Sequence, residues 1–332
     1  MRRRTFLALV GGALAVPFAS AQPGTRTYRV AVILVVSPLA EMAGPDPVHP
    51  TIRAFVHKLR ALGYIEGRNL ILERRTADGR PERYPGIVAE LVGLKPDVIV
   101  TAGESGLIAS AKNVWGGVPI VTLGTDDPVK YGLARSLARP GGNLTGLLVV
   151  TGPENDQKRL QLLKETLPTV SRVAYLAPRR FWNYPNTKAF LEAAAALGVD
   201  IVYAEHKPQV LDATFAAIER LHPEALFVSG AAESYGQHQQ IVEFARRARL
   251  PGMYPYAPMV DAGGLMSYSV SVAGLGRGAA EYVDRILKGA KPGDLPIERP
   301  KTFELVVNLK TAKAIGVAIP QLILLRADRV IE

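Results

Sequence analysis

Tyr28-Arg29-Val30-Ala31-Val32-Ile33-Leu34-Val35-Val36 decides the fold. The run is apolar and β-branched almost without interruption, as a strand must be when both faces of its sheet are covered. Ser37 to Pro50 then holds four prolines and reads as a loop. Beyond it Ile52, Phe55, Val56, Leu59 and Leu62 fall at helical spacing, so one face of this helix packs on the sheet. The alternation continues with a helix around Tyr84 to Leu94, a strand Asp97 to Thr101, a helix from Ser105, a strand Val118 to Leu123 and a helix Lys130 to Leu137. A second series follows Leu144 to Val150, where Thr151-Gly152-Pro153-Glu154 has the form of a capping box with proline in the first turn. The helix it opens presents Leu160, Leu163 and Leu167 on one side. Strands Arg172 to Ala177, Val199 to Ala204 and Ala225 to Ser229 alternate with helices near Thr187 to Leu197, Leu211 to Leu221 and Gln237 to Ala248. Such alternation defines an α/β fold with parallel sheets, here two doubly wound lobes.

Residues 1–21 read as an export signal. Arg2-Arg3-Arg4 is basic, Phe6 to Val16 is apolar, and Ala19-Ser20-Ala21 fits a small-x-small cleavage site, so the mature chain is expected to begin near Gln22. The apolar run is too short for a permanent membrane helix. Arg3-Arg4-Thr5-Phe6-Leu7 also fits the twin-arginine pattern, which leaves two export routes open to the periplasm. The rest of the 332-residue chain suits two domains of ordinary size. Cysteine is absent, which removes a thiol nucleophile, a thiolate metal site and a lipid-modified N-terminal cysteine. The net charge of +10 is dispersed, with Arg246, Arg247 and Arg249 the densest group; this reads as a solvated surface rather than a nucleic-acid footprint. His49, His57, His206, His222 and His238 show no metal spacing, and neither a Gly-x-Ser-x-Gly elbow nor a phosphate-binding loop is present. Neither an enzyme nor a cofactor is expected. Gly274-Leu275-Gly276-Arg277-Gly278 reads as a loop before a helix carrying Tyr282, Val283, Ile286 and Leu287.

Several longer stretches carry a family signature. They are Leu62-Gly63-Tyr64-Ile65-Glu66-Gly67-Arg68-Asn69, Gly124-Thr125-Asp126-Asp127-Pro128-Val129, Ser136-Leu137-Ala138-Arg139-Pro140-Gly141-Gly142-Asn143-Leu144-Thr145-Gly146, and Gly263-Gly264-Leu265-Met266-Ser267-Tyr268. Ala280 to Pro292, Phe303 to Lys313 and Arg326 to Glu332 extend the pattern. From about residue 28 to 332 the chain resembles the extracytoplasmic solute-binding proteins of ABC transporters, in the subgroup often linked to tryptophan or tyrosine uptake. The resemblance implies a type I periplasmic binding fold, with lobe 1 at 26–149 plus 259–299 and lobe 2 at 150–258 plus 300–332. Three crossovers, near Val150, Tyr256 to Gly263 and Glu298 to Thr302, would join the lobes as a hinge. It also implies a monomer without nucleic-acid partners that captures a small organic ligand, such as an amino acid or aromatic carboxylate, and delivers it to an ABC permease. A ligand-sensing module for a membrane receptor is the alternative.

In open parallel sheets ligands sit beyond the carboxyl ends of the strands, so the loops there supply the candidates. In lobe 1 these are Ser37, Glu104, Ser105, Thr125 and Asp127. Ser105 opens a helix after a buried strand, where it could hold a ligand carboxylate or simply cap the helix. Glu104 departs from the small polar residue of the family and would repel an anion or recognise an ammonium. Asp127 matches the family's aspartate and could accept from an amine or build an Asx turn ahead of Pro128. In lobe 2 the loops are rich in aromatics, and Trp182, Tyr184, Tyr235 and Tyr256 are candidates for a flat wall over the ligand.

Overall fold

The computed structural model describes residues 26–103, 105–149, 153–183, 186–300 and 303–332. The expected export signal, Glu104, Thr151-Gly152 of the capping box and Tyr184 lie outside them. In the first strand Val30, Val32 and Leu34 join one apolar cluster, and Ala31 and Ile33 join another on the opposite face. That alternation is what a strand covered on both sides requires. The first sheet contains β1 (Tyr28–Leu34), β2 (Leu70–Thr76), β3 (Val98–Ala102), β4 (Ile120–Thr125), β5 (Leu144–Leu148) and β11 (Ile297–Glu298), in the order β11-β5-β4-β3-β1-β2. All its pairings are parallel. The second contains β6 (Arg172–Ala177), β7 (Asp200–Glu205), β8 (Ala225–Val228), β9 (Gly252–Tyr254), β10 (Met266–Val270), β12 (Phe303–Asn308) and β13 (Arg329–Ile331), in the order β13-β12-β10-β9-β8-β6-β7. Only β10 with β12 is antiparallel.

The chain passes between the sheets three times: from β5 to the Pro153–Thr166 helix, from β10 to the Val272–Leu287 helix, and from β11 to β12. The middle passage lies later than expected. Met266–Val270 pairs with β9 and β12, so 259–270 stays with the second sheet and the chain changes lobe at Ser271, which caps the next helix by accepting from the Gly274 N–H at 3.2 Å. Phe303–Asn308 lies in the second sheet.

Three other local readings need correction. Leu70–Thr76 is a strand that the pattern of buried runs passes over, because it is an edge strand carrying Glu73, Arg74 and Arg75. Lys130 to Leu137 is a set of turns rather than a helix: the Pro128 carbonyl accepts from both Leu133 and Ala134, which diverts the donors a helix would use. Gly274 to Gly278 is inside the Val272–Leu287 helix, not a loop before it. The reason is packing. A Cβ on Gly276 would stand 2.1 Å from the Thr51 carbonyl oxygen, so glycine is what lets this helix lie against Pro50–Ala61. Tyr64 fastens the same junction by donating to Asp284 at 2.9 Å.

Candidate functional site

The carboxyl ends of both sheets open onto one cavity of about 320 Å³. Such a position follows from the topology, since loops leaving parallel strands converge where the sheets face each other. Gly124 shapes the first lobe's wall: its φ is +151°, and a Cβ there would meet Val149 at 2.8 Å. Ser37 and Thr125 are buried on this wall.

Ser105 is not on it. It is fully buried at the start of the Ser105–Ser110 helix, its hydroxyl shares a 2.7 Å hydrogen bond with that of Thr125, and its N–H donates to Asp126. Burial would raise the Asp126 carboxyl, but hydrogen bonds from Ser105 and from the backbone N–H groups of Asp127 and Asp126 outweigh it and hold the group below the usual range. The helix end therefore has its anion already, supplied by the protein. Asp127 is exposed, off the cavity wall, and accepts from the Lys130 N–H at 3.0 Å, the Asx-type turn of the two readings.

On the second lobe Tyr235 and Tyr256 line the cavity and meet edge to face at 5.5 Å. Tyr256 donates to the Gly230 carbonyl at 3.0 Å, and burial raises the Tyr235 hydroxyl. Trp182 turns away from the cavity and stacks on Tyr203 at 4.6 Å; its neighbour Phe181 takes the wall instead. His49 reaches from the first lobe to within 6.1 Å of the Tyr235 ring. Its burial, reinforced by His238, lowers its pKa to about 4, so the imidazole is neutral.

The wall also carries residues that sequence reasoning missed. Arg159 is 1 % exposed on the Pro153–Thr166 helix. One terminal nitrogen donates to Asp156 at 2.8 Å, the other to the carbonyls of Val228 at 2.7 Å and Met253 at 3.3 Å, and the guanidinium lies 4.2 Å over Phe227. Its Nε has no partner among the described residues. Asn155 Oδ1, Ser269 Oγ and His49 Nδ1 are likewise buried and unpartnered on the same cavity. A buried polar atom costs free energy unless it is satisfied, so four of them around one space point to a ligand. The signal available beforehand was an arginine directly beside Leu160, within the apolar register of its helix. Among the described residues no group of three or more His, Asp or Glu side chains could hold a metal.

Comparison with known proteins identifies the class. A family model described as ABC transporter substrate binding protein matches residues 40–331, and the chain belongs to that family, whose members are extracytoplasmic solute-binding proteins rather than enzymes. A tyrosine-binding protein of Clostridioides difficile is 23 % identical over 274 residues, 80 % of this chain and 78 % of the relative. A conserved domain protein of Vibrio cholerae has a similar structure, with a TM-score of 0.79 and 26 % identity over 92 % of this chain and 100 % of the other. The ABC domain of a Streptococcus pneumoniae protein, solved in complex with L-Trp, superimposes with a TM-score of 0.77 at 22 % identity, again over 92 % and 100 %. The fold is that of a type I periplasmic binding protein. No helix among the described residues is long and apolar enough to cross a membrane.

Proposed function

We propose that this chain is a periplasmic binding protein that takes an amino acid or aromatic carboxylate into the cavity between its lobes and delivers it to an ABC permease. The observation that carries this reading is the set of four buried polar atoms, unpartnered among the described residues, on a cavity walled largely by apolar and aromatic side chains. The tyrosine-binding relative and the L-Trp complex support the ligand class. Delivery follows from the family. The mechanism is hinge closure: a ligand that touches both lobes binds the closed form better, and roughly 5.5 kcal/mol of differential affinity moves a population from 1:99 to 99:1. The three passages between sheets are the hinge, and the permease reads the closed pair of lobe surfaces. Residues 1–21 direct export, and the mature protein works as a monomer without nucleic acid.

A thermal-shift screen of the mature protein against amino acids, aromatic acids and small amides tests the reading, since a ligand that binds only the folded form raises the melting temperature. A shift saturating with an aromatic compound is expected. No shift with any of them contradicts this ligand class.

A further inference from the structure

On the first lobe the start of the Ser105–Ser110 helix is already occupied. The N–H and hydroxyl of Ser105 are engaged by Asp126 and Thr125, within the protein. Of the groups left over on the cavity among the described residues, His49 Nδ1 is on the first lobe and the other three are on the second. Arg159 and Ser269, both more than nine-tenths buried, keep Nε and Oγ without partners among the described residues, and Asn155 keeps Oδ1 likewise. Asn155, Asp156 and Arg159 lie on consecutive turns of one helix, at i, i+1 and i+4, and all three line the cavity.

These atoms have opposite needs. An amide oxygen and a carboxylate only accept, whereas guanidinium Nε only donates. A ligand with a carboxylate and no amine would satisfy Arg159, yet it would bring a second anion beside Asp156 and leave Asn155 Oδ1 unmet. An amine without a carboxylate would leave Nε unmet. The charged side chains described on the wall are Asp126, Asp156 and Arg159, two carboxylates to one guanidinium, an excess that favours a ligand bringing an ammonium.

We propose that Asn155 and Asp156 receive a ligand α-ammonium while Arg159 Nε and the Ser269 hydroxyl receive its carboxylate, so that the cavity selects α-amino acids and discriminates against aromatic carboxylates lacking the amine. The proposal rests on the reading of this cavity as the solute site, and it decides between the two ligand classes that reading allows.

Calorimetric titration of the mature protein with L-tryptophan, indole-3-propionate and tryptamine, and with L-tyrosine and its two matching truncations, tests it. The amino acid of one series should bind roughly tenfold or more tighter than either truncation, the scale of a lost hydrogen bond to a charged group. Asn155→Leu should weaken the amino acid and the amine about tenfold and leave the carboxylate unchanged. Ser269→Ala should weaken the amino acid and the carboxylate and spare the amine. Asn155→Ala serves as a second variant, and unchanged melting temperatures of the free proteins show that each is folded. Equal affinity for the amino acid and its des-amino form, or an Asn155 variant that binds as the wild type does, overturns the head-group assignment while leaving a solute site. Failure of all six compounds to bind overturns the aromatic-solute reading and this proposal with it.

Discussion

The two edges that face the cavity are built from similar residues and end in opposite states. On the first lobe Ser105, Thr125 and Asp126 satisfy one another, with a serine hydroxyl on a threonine and a helix N–H on an aspartate. On the second, Asn155, Arg159 and Ser269 each keep a buried polar atom unmatched among the described residues, against His49 Nδ1 alone on the first lobe's side of the cavity. Both edges lie at the carboxyl ends of parallel strands, so topology alone does not say which one reads a ligand. The difference is in the accounting of donors and acceptors: groups that pair internally stabilise the lobe, and groups left over stabilise only a complex.

The largest expected effect comes from Arg159→Met. It strands the buried carbonyls of Val228 and Met253 and should lower the unfolding free energy by about 3 kcal/mol, with loss of ligand binding. Urea titration measures the first and calorimetry the second. A variant as stable as the wild type would show that this arginine does not tie the helix to the sheet edge.

A pH series sharpens the comparison at the junction of the lobes. His49 packs against Tyr235, feels His238, and donates its backbone N–H to the Glu41 carbonyl. Its folded pKa of about 4 lies below the ordinary 6.5, so the unfolded chain binds the proton more readily. Its contribution is intact above pH 6.5 and is lost as pH falls toward 4, by about 3 kcal/mol. His206, also lowered by burial, acts in the same direction. Stability measured from pH 7.5 to 4.5 should fall, and His49→Gln should flatten part of that fall. An unchanged slope in His49→Gln would assign the dependence elsewhere.

Ser105→Ala should cost about 1 kcal/mol of stability, by removing a buried hydrogen bond, and leave ligand affinity within about twofold. A large loss of affinity with little loss of stability would reverse the roles of the two edges. Asp127→Ala is the smallest case. It removes one exposed turn contact and should change stability by about 0.5 kcal/mol or less, with no change in binding.

Much of the fold was legible because parallel sheets write themselves as apolar runs, as in Val30 to Leu34 or Ala225 to Val228. Leu70–Thr76 was not, because an edge strand alternates its burial and carries charge. The cavity lining was legible at the level of loops: Ser37, Thr125, Tyr235 and Tyr256 follow from counting strand ends. Ser105 followed the same rule and fell short of the cavity, since nothing in the local sequence tells that Asp126, across a strand pair, folds back to cap its helix. Arg159 was hidden for a related reason. Its two carbonyl partners are brought to it by β8 and β9, about 70 to 95 residues away in sequence, and the orphaned Nε exists only once those bonds are made.

A crystal structure of the mature protein with L-tryptophan or L-tyrosine, whichever titration shows to bind, tests the central contrast most directly. The account predicts the ligand carboxylate within hydrogen-bond reach of Arg159 Nε, its ammonium on Asn155 Oδ1, and Asp126 still on the Ser105 N–H. A carboxylate seated on the Ser105 N–H, with Asp126 displaced and Arg159 Nε unoccupied, would contradict it.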